Sequence, residues 1–144
     1  MTLVLPERPP SEVEWEDLLV KLDIAPRAAR AAVEDAAPGA AVLRALADAV
    51  AREAWFAEAL ARLSAGETLP AENAPGERDD ASAAVLLETL DRARGRNFAQ
   101  VQRRGLGVWD WRAPTAGGGE MTGYQLLQHM QRCDGQTIAR LRRG

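Results

Sequence analysis

A chain of 144 residues with 47% apolar residues is long enough to bury a core without covalent staples, and its single cysteine excludes an internal disulfide. A formal charge of −3 supplies no long-range attraction for phosphate backbones, which argues against a nucleic-acid partner. No uncharged apolar run approaches the roughly 18 residues of a membrane span, and "MTLVLPERPPSEVEWED" carries no secretory signal, so one cytoplasmic domain over 1–144 is expected, with residues 1–10 as a tail. Arginine outnumbers lysine 17 to 1 in an alanine-rich chain, a joint bias attributed to GC-rich coding, so no single arginine is read as chosen for its guanidinium fork.

Ser11 is placed to cap a first helix, with Glu12, Glu14 and Glu16 at the positive end of its dipole. Trp15, Leu18, Leu19 and Leu22 recur at threes and fours. Pro26, lacking an amide donor, is expected to break this helix into two pieces before "APG" at 37–39 ends it. A second helix over about 40–64 aligns Val42, Leu43, Leu46, Val50, Ala54, Ala57, Leu60 and Ala61 on one stripe. It stops in "SAGETLPAENAPGERDD", which makes 64–79 a long surface connection. Asp80 or Ser82 then caps a third helix to about Gln102. "RRGLGVWDWRAPTAGGGE" is too glycine-rich to be regular, so 103–120 is expected to be a long loop, either a mobile lid or a segment anchored by Trp109 or Trp111. Thr122 caps a fourth helix to about Arg143, and no segment alternates with a period of two. Loops that return the chain then imply an all-α, antiparallel four-helix bundle.

"PGAAVLRALADAVAREAWFAEALARLSAGETLP" and, after a helix and a Gly-rich loop, "GGGEMTGYQLLQHMQRCDGQTIARLRR" resemble the DinB/YfiT-like superfamily of bacterial four-helix bundles. The likeness lies in Leu43, Leu46, Ala47 and Asp48 on the second helix, and in Leu126, Leu127, His129 and Met130 running into Asp134 and Ile138 on the fourth. It implies a DinB-like fold, helix-on-helix homodimers, and a divalent metal held by three histidines, one on the second helix and two at i, i+4 on the fourth. In some relatives that metal activates a low-molecular-weight thiol. Carried over position by position, the triad falls on Ala45, Cys133 and Thr137. Ala45 offers no lone pair and Thr137 only a neutral hydroxyl. A one-turn slip would instead align His129 and Cys133 with the helix-four pair.

His129 and Cys133 are the only histidine and cysteine. Zinc sites need at least three protein ligands, so a carboxylate from Asp48, Glu53 or Asp134 would have to complete a set. Otherwise Cys133 behaves as a small apolar residue. The helical wheel places Asp134 among Leu127, Ile138 and Leu141, where a carboxylate needs a partner, and an arginine of another helix is the structural choice over a catalytic role. Trp55 falls opposite the second helix's stripe, as an interface with another subunit or as packing against 64–79.

The leading expectation is therefore a divergent DinB-like protein with no metal cofactor, binding a small ligand or a partner around Ala45, Asp48, His129, Cys133, Asp134 and Thr137. The alternative is a metal-dependent thiol transferase or hydrolase holding zinc or nickel on His129, Cys133 and Asp48. A DNA-damage role, suggested by the family's name alone, assigns no chemistry.

Overall fold

Long helices form wherever apolar residues recur at threes and fours: α1 Glu12–Glu34, α2 Ala40–Ala65, α3 Ala83–Arg104 and α4 Gly123–Arg143. A computed structural model describes residues 6–35, 39–72 and 81–143 of the chain. Asp80, residues 73–79 of the connection and residues 37–38 of the break after α1 lie outside the described residues. The described residues are mostly helical, and none of their helices is long and apolar enough to cross a membrane.

Side-chain caps set the starts of three helices. Ser11 Oγ accepts the Glu14 amide at 3.2 Å, and Ser82 Oγ accepts the Val85 amide at 3.3 Å. Thr122 and Gln125 close a reciprocal box: the Gln125 amide donates to Thr122 Oγ1 at 3.2 Å, while the Thr122 amide donates to Gln125 Oε1 at 2.9 Å. The Thr122 hydroxyl also donates to the Glu7 carbonyl at 2.7 Å. At the other end of α2, Gly66 adopts φ 72°, the left-handed conformation that ends a helix at little cost.

Two expectations about the helices are corrected. α1 is not broken at Pro26 but runs through it. Proline withholds the amide that would have bonded the Leu22 carbonyl, and Arg94 Nη1 donates to that carbonyl at 2.7 Å instead. On α2, the buried stripe is Val42, Leu46, Ala49, Glu53, Phe56, Leu60 and Leu63, whereas Ala54 and Ala61 are exposed. Val42, Leu46 and Leu60 are buried as expected, but alanine has too little apolar surface to choose a face, so the alanines drew the rest of the expected stripe toward the exposed side.

α1 packs against α3 and α4, and so does α2. One end of the core joins the beginnings of α1 and α4 (Trp15, Leu18, Leu126, Leu127) to the ends of α2 and α3 (Phe56, Leu60, Leu63, Val101). The other end joins Ala32, Val33 and Leu141 to Val42, Leu46, Leu86 and Leu87. Thus α1 and α4 run one way and α2 and α3 the other. By the same placement α2 runs opposite to α4 and α1 opposite to α3, while the neighbouring pairs α1 with α4 and α2 with α3 run the same way. The connection over 66–82 makes this possible: its extended reach of about 55 Å exceeds the roughly 33 Å length of α3.

The stretch after α3 is not the irregular loop expected. Its residues form a 3-10 turn, Gly105–Asp110, and a short antiparallel hairpin of β1 Arg112–Pro114 and β2 Glu120–Thr122. Gly118, at φ 100°, turns the hairpin, and Thr115 closes it by donating its amide to the Gly119 carbonyl at 2.7 Å. Both tryptophans pack on the core: Trp109 meets Trp15 edge-on at 5.4 Å, and Trp111 carries the Arg104 guanidinium at 6.0 Å from its ring. The anchored reading of this segment is the one observed.

Candidate functional site

Between the two ends of the core, apolar packing gives way to a buried polar network. α3 follows a three-and-four rhythm through Leu87, Leu90, Arg94, Asn97 and Val101, so Arg94 and Asn97 occupy stripe positions and point inward. α2 does the same through Ala49, Glu53 and Phe56. Arg94 is 3% exposed and Glu53 2%, so both side chains depend on protein partners.

The guanidinium satisfies its donors completely. Nε donates to Glu53 Oε2 and Nη2 to Glu53 Oε1, both at 2.9 Å. On its other edge Nη1 donates to Asp134 Oδ2 at 2.8 Å and Nη2 to Asp134 Oδ1 at 2.7 Å. The remaining Nη1 hydrogen serves the Leu22 carbonyl. Arginine has five such hydrogens in a rigid fork, and lysine could not reproduce this pattern. Asn97 Nδ2 then donates to Glu53 Oε2 at 2.7 Å and to the Glu53 carbonyl at 3.1 Å, anchoring that carboxylate to α3.

Two carboxylates sharing one guanidinium leave the network with a formal excess of one negative charge when both are ionised. Burial pushes the Asp134 carboxyl above its usual range, an effect only partly reversed by its hydrogen bonds to Arg94. For Arg94, burial works against the charged form, but the carboxylates on either side more than offset it and hold the guanidinium above its ordinary value.

The neighbouring cavity has a volume of about 20 Å³, lined by Pro26, Ala49, Glu53, Arg94, Cys133 and Thr137 among others. That is room for about one water molecule. Cys133 and Thr137 therefore meet near Asp134, but Ala45 does not join them: it packs at the far end of the core with Leu141. The α2 residues facing the cavity are Ala49, Arg52, Glu53 and Phe56, the first of them one turn further on than Ala45.

The other candidate residues have separate attachments. Asp48 pairs with Arg140 at 3.0 Å, about three turns along α4 from His129. His129 donates its Nε2 hydrogen to the Glu72 carboxylate. Cys133 Sγ lies 4.0 Å from His129 Nδ1 and 3.9 Å from Nε2, nearly equidistant, so it is aimed at neither nitrogen's lone pair. Burial also pushes the Cys133 thiol up, away from the thiolate form that a nucleophile or metal ligand needs. His129, Cys133 and Asp48 are thus not gathered, and the described residues contain no group of three or more His, Cys, Asp or Glu placed to hold a metal ion.

Of the two expectations for Trp55, packing against 64–79 is the one observed within the chain. Trp55 is 6% exposed and packs inside the chain, with its indole N–H donating to the Pro70 and Ala71 carbonyls, each at 3.1 Å. Its ring meets Phe56 and His129 edge-on. The tryptophan that the wheel set on an open face instead holds down the start of the connection after α2.

No family model, curated protein or solved structure matches the chain.

Proposed function

We propose that the chain is a divergent DinB-like bundle acting as a binding or interaction protein in the cytoplasm, without a metal-dependent reaction. One observation carries this reading: the interior carboxylates of Glu53 and Asp134 are taken up by the Arg94 guanidinium, which leaves neither of them as a ready ligand for a metal ion. The positions matched to the family's triad, Ala45, Cys133 and Thr137, offer one strong donor, and its thiol is buried and aimed at no partner. The cavity beside this network has room for about one water, too little for a small organic ligand at that place.

Metal analysis of protein purified without chelator, and after incubation with zinc and with nickel, tests the proposal. The expected result is far less than one metal ion per chain, unchanged by Cys133→Ala. Stoichiometric metal that disappears in Cys133→Ala or His129→Ala overturns it in favour of the second reading, a metal-dependent thiol transferase. What supports that alternative is the juxtaposition of His129 with Cys133 and the Glu72 carboxylate on the same imidazole.

A further inference from the structure

α2 and α3 end side by side, and between their last turns they leave an open cleft of about 610 Å³. Its lining comes from three segments: Ala61 and Ser64 of α2, Gln100, Arg103 and Arg104 of α3, and Trp111 ahead of the hairpin. The small side chains of α2 leave the room, and the volume falls within the roughly 300–1,000 Å³ usual for small-molecule sites.

The charged groups of this lining are both arginines, in a chain whose net charge is −3. Nearby exposed arginines find acids: Arg62 pairs with Glu58, Arg92 with Glu88 and Arg112 with Glu7. Among the described residues Arg103 and Arg104 have no carboxylate partner. Arg103 makes one long bond, from Nε to the Ala99 carbonyl of its own helix at 3.5 Å, which leaves its Nη groups free. Arg104 lies over the Trp111 indole, 6.0 Å from the ring, a contact that restrains the guanidinium and leaves its N–H edge open. Trp111 itself is held against the core.

Helix C-terminal carbonyls would repel an anion, but those of α2 are closed. The Gly66 and Glu67 amides donate to the Leu63 and Arg62 carbonyls at 3.1 and 2.9 Å, and the Ser64 hydroxyl donates to the Ala61 carbonyl at 2.8 Å. α3 runs without a break into the 3-10 turn, so its backbone bonding continues.

We propose that this cleft binds a small phosphate monoester carried on a planar aromatic body, with the two guanidinia on the phosphate and the ring beside Trp111 and Ala61. Guanidinium forks match phosphate oxygens in pairs, and the indole supplies apolar contact for the body. Ser64 Oγ, its hydrogen already given away, offers lone pairs, while Gln100 offers both a donor and an acceptor to polar groups on that body. Arg103 stands about 13 Å along α3 from Arg94 and on the opposite side of the helix, so this site fails or holds separately from the interior network and from any metal.

Isothermal titration of the full chain with phenyl phosphate, inorganic phosphate and phenol tests the site. Phenyl phosphate is expected to bind with a dissociation constant below about 1 mM, at least about tenfold tighter than either fragment. Arg103→Gln and Arg104→Gln each weaken it about tenfold, whereas Arg30→Gln, at an exposed position on α1, leaves it unchanged. Trp111→Leu removes the advantage of phenyl phosphate over inorganic phosphate. Circular dichroism confirms that the exposed arginine variants keep their helices. Should Trp111→Leu fail to fold, Arg104→Lys takes its place, keeping the charge without the fork and weakening phenyl phosphate. Absence of phenyl phosphate binding at several millimolar overturns the proposal. So does an affinity unmoved by Arg103→Gln with Arg104→Gln, an equal loss in Arg30→Gln, or inorganic phosphate binding as tightly as phenyl phosphate.

Discussion

Arg94 Nη1 reaches across from α3 to the carbonyl oxygen of Leu22 on α1, at 2.7 Å, and supplies the hydrogen bond that Pro26 withholds. A proline inside a helix and an arginine inside a core are each unfavourable alone, and here they answer one another. The same guanidinium joins Glu53 of α2 and Asp134 of α4, so one side chain contacts all the other helices.

Arg94→Met is expected to destabilise the protein by about 3–5 kcal/mol, because it leaves buried carboxylates without a counter-charge. Arg94→Lys keeps the charge but lacks the fork, and falls between. In a Pro26→Ala background the Leu22 carbonyl regains an amide partner, so the cost of Arg94→Met should shrink by about 1 kcal/mol. Urea unfolding of the four members of the Pro26/Arg94 cycle measures this coupling.

Asp134 gives the network a pH signature. Its folded carboxyl sits above the ordinary value of about 3.9, so between that value and the folded one the native state holds more proton than the unfolded state. Stability from this group therefore increases as pH falls through that window and is lost as pH rises. Asp134→Asn removes the titration. Wild-type stability relative to Asp134→Asn should improve as pH is lowered from 7 towards 4, measured by urea midpoints at matched pH.

Gly123, the first residue of α4, lies against the turn before the hairpin. A Cβ built there would stand 1.9 Å from the Val108 carbonyl oxygen, a contact with backbone that no side-chain movement relieves. Gly123→Ala should cost about 1–3 kcal/mol despite alanine's better helix propensity. Thermal melts, together with the near-ultraviolet signal of the neighbouring tryptophans, would record it.

Cys133 is 5% exposed, and its thiol is disfavoured as thiolate by burial. Its reaction with a thiol reagent at pH 8 should be at least about tenfold slower in the native protein than in urea. Equal rates in the two states would contradict this placement.

The helices were legible because apolar spacing reports amphipathicity directly, and Ser11 and Thr122 mark starts by chemistry that acts within one turn. The polar centre was harder to see. Arg94 and Asn97 do stand at stripe positions between Leu90 and Val101, which is a detectable signal, but the abundance of arginine made any one of them look incidental. The burial of Glu53 and Trp55 was hidden, since both depend on the rotation of α2 and its alanines carry little directional information. Asp134 stood out on the wheel, while its partner Arg94 lies 40 residues away, beyond any local pattern. The passage of α1 through Pro26 was likewise invisible, because the donor that rescues Leu22 comes from another helix.

The shared direction of α2 and α3 has a kinetic consequence. Each end of the core draws on all four helices, so no pair of sequence neighbours completes either end by folding as a local hairpin. Closing the long crossover must come before much of the buried surface can assemble, which places this protein among the slower all-helical folders.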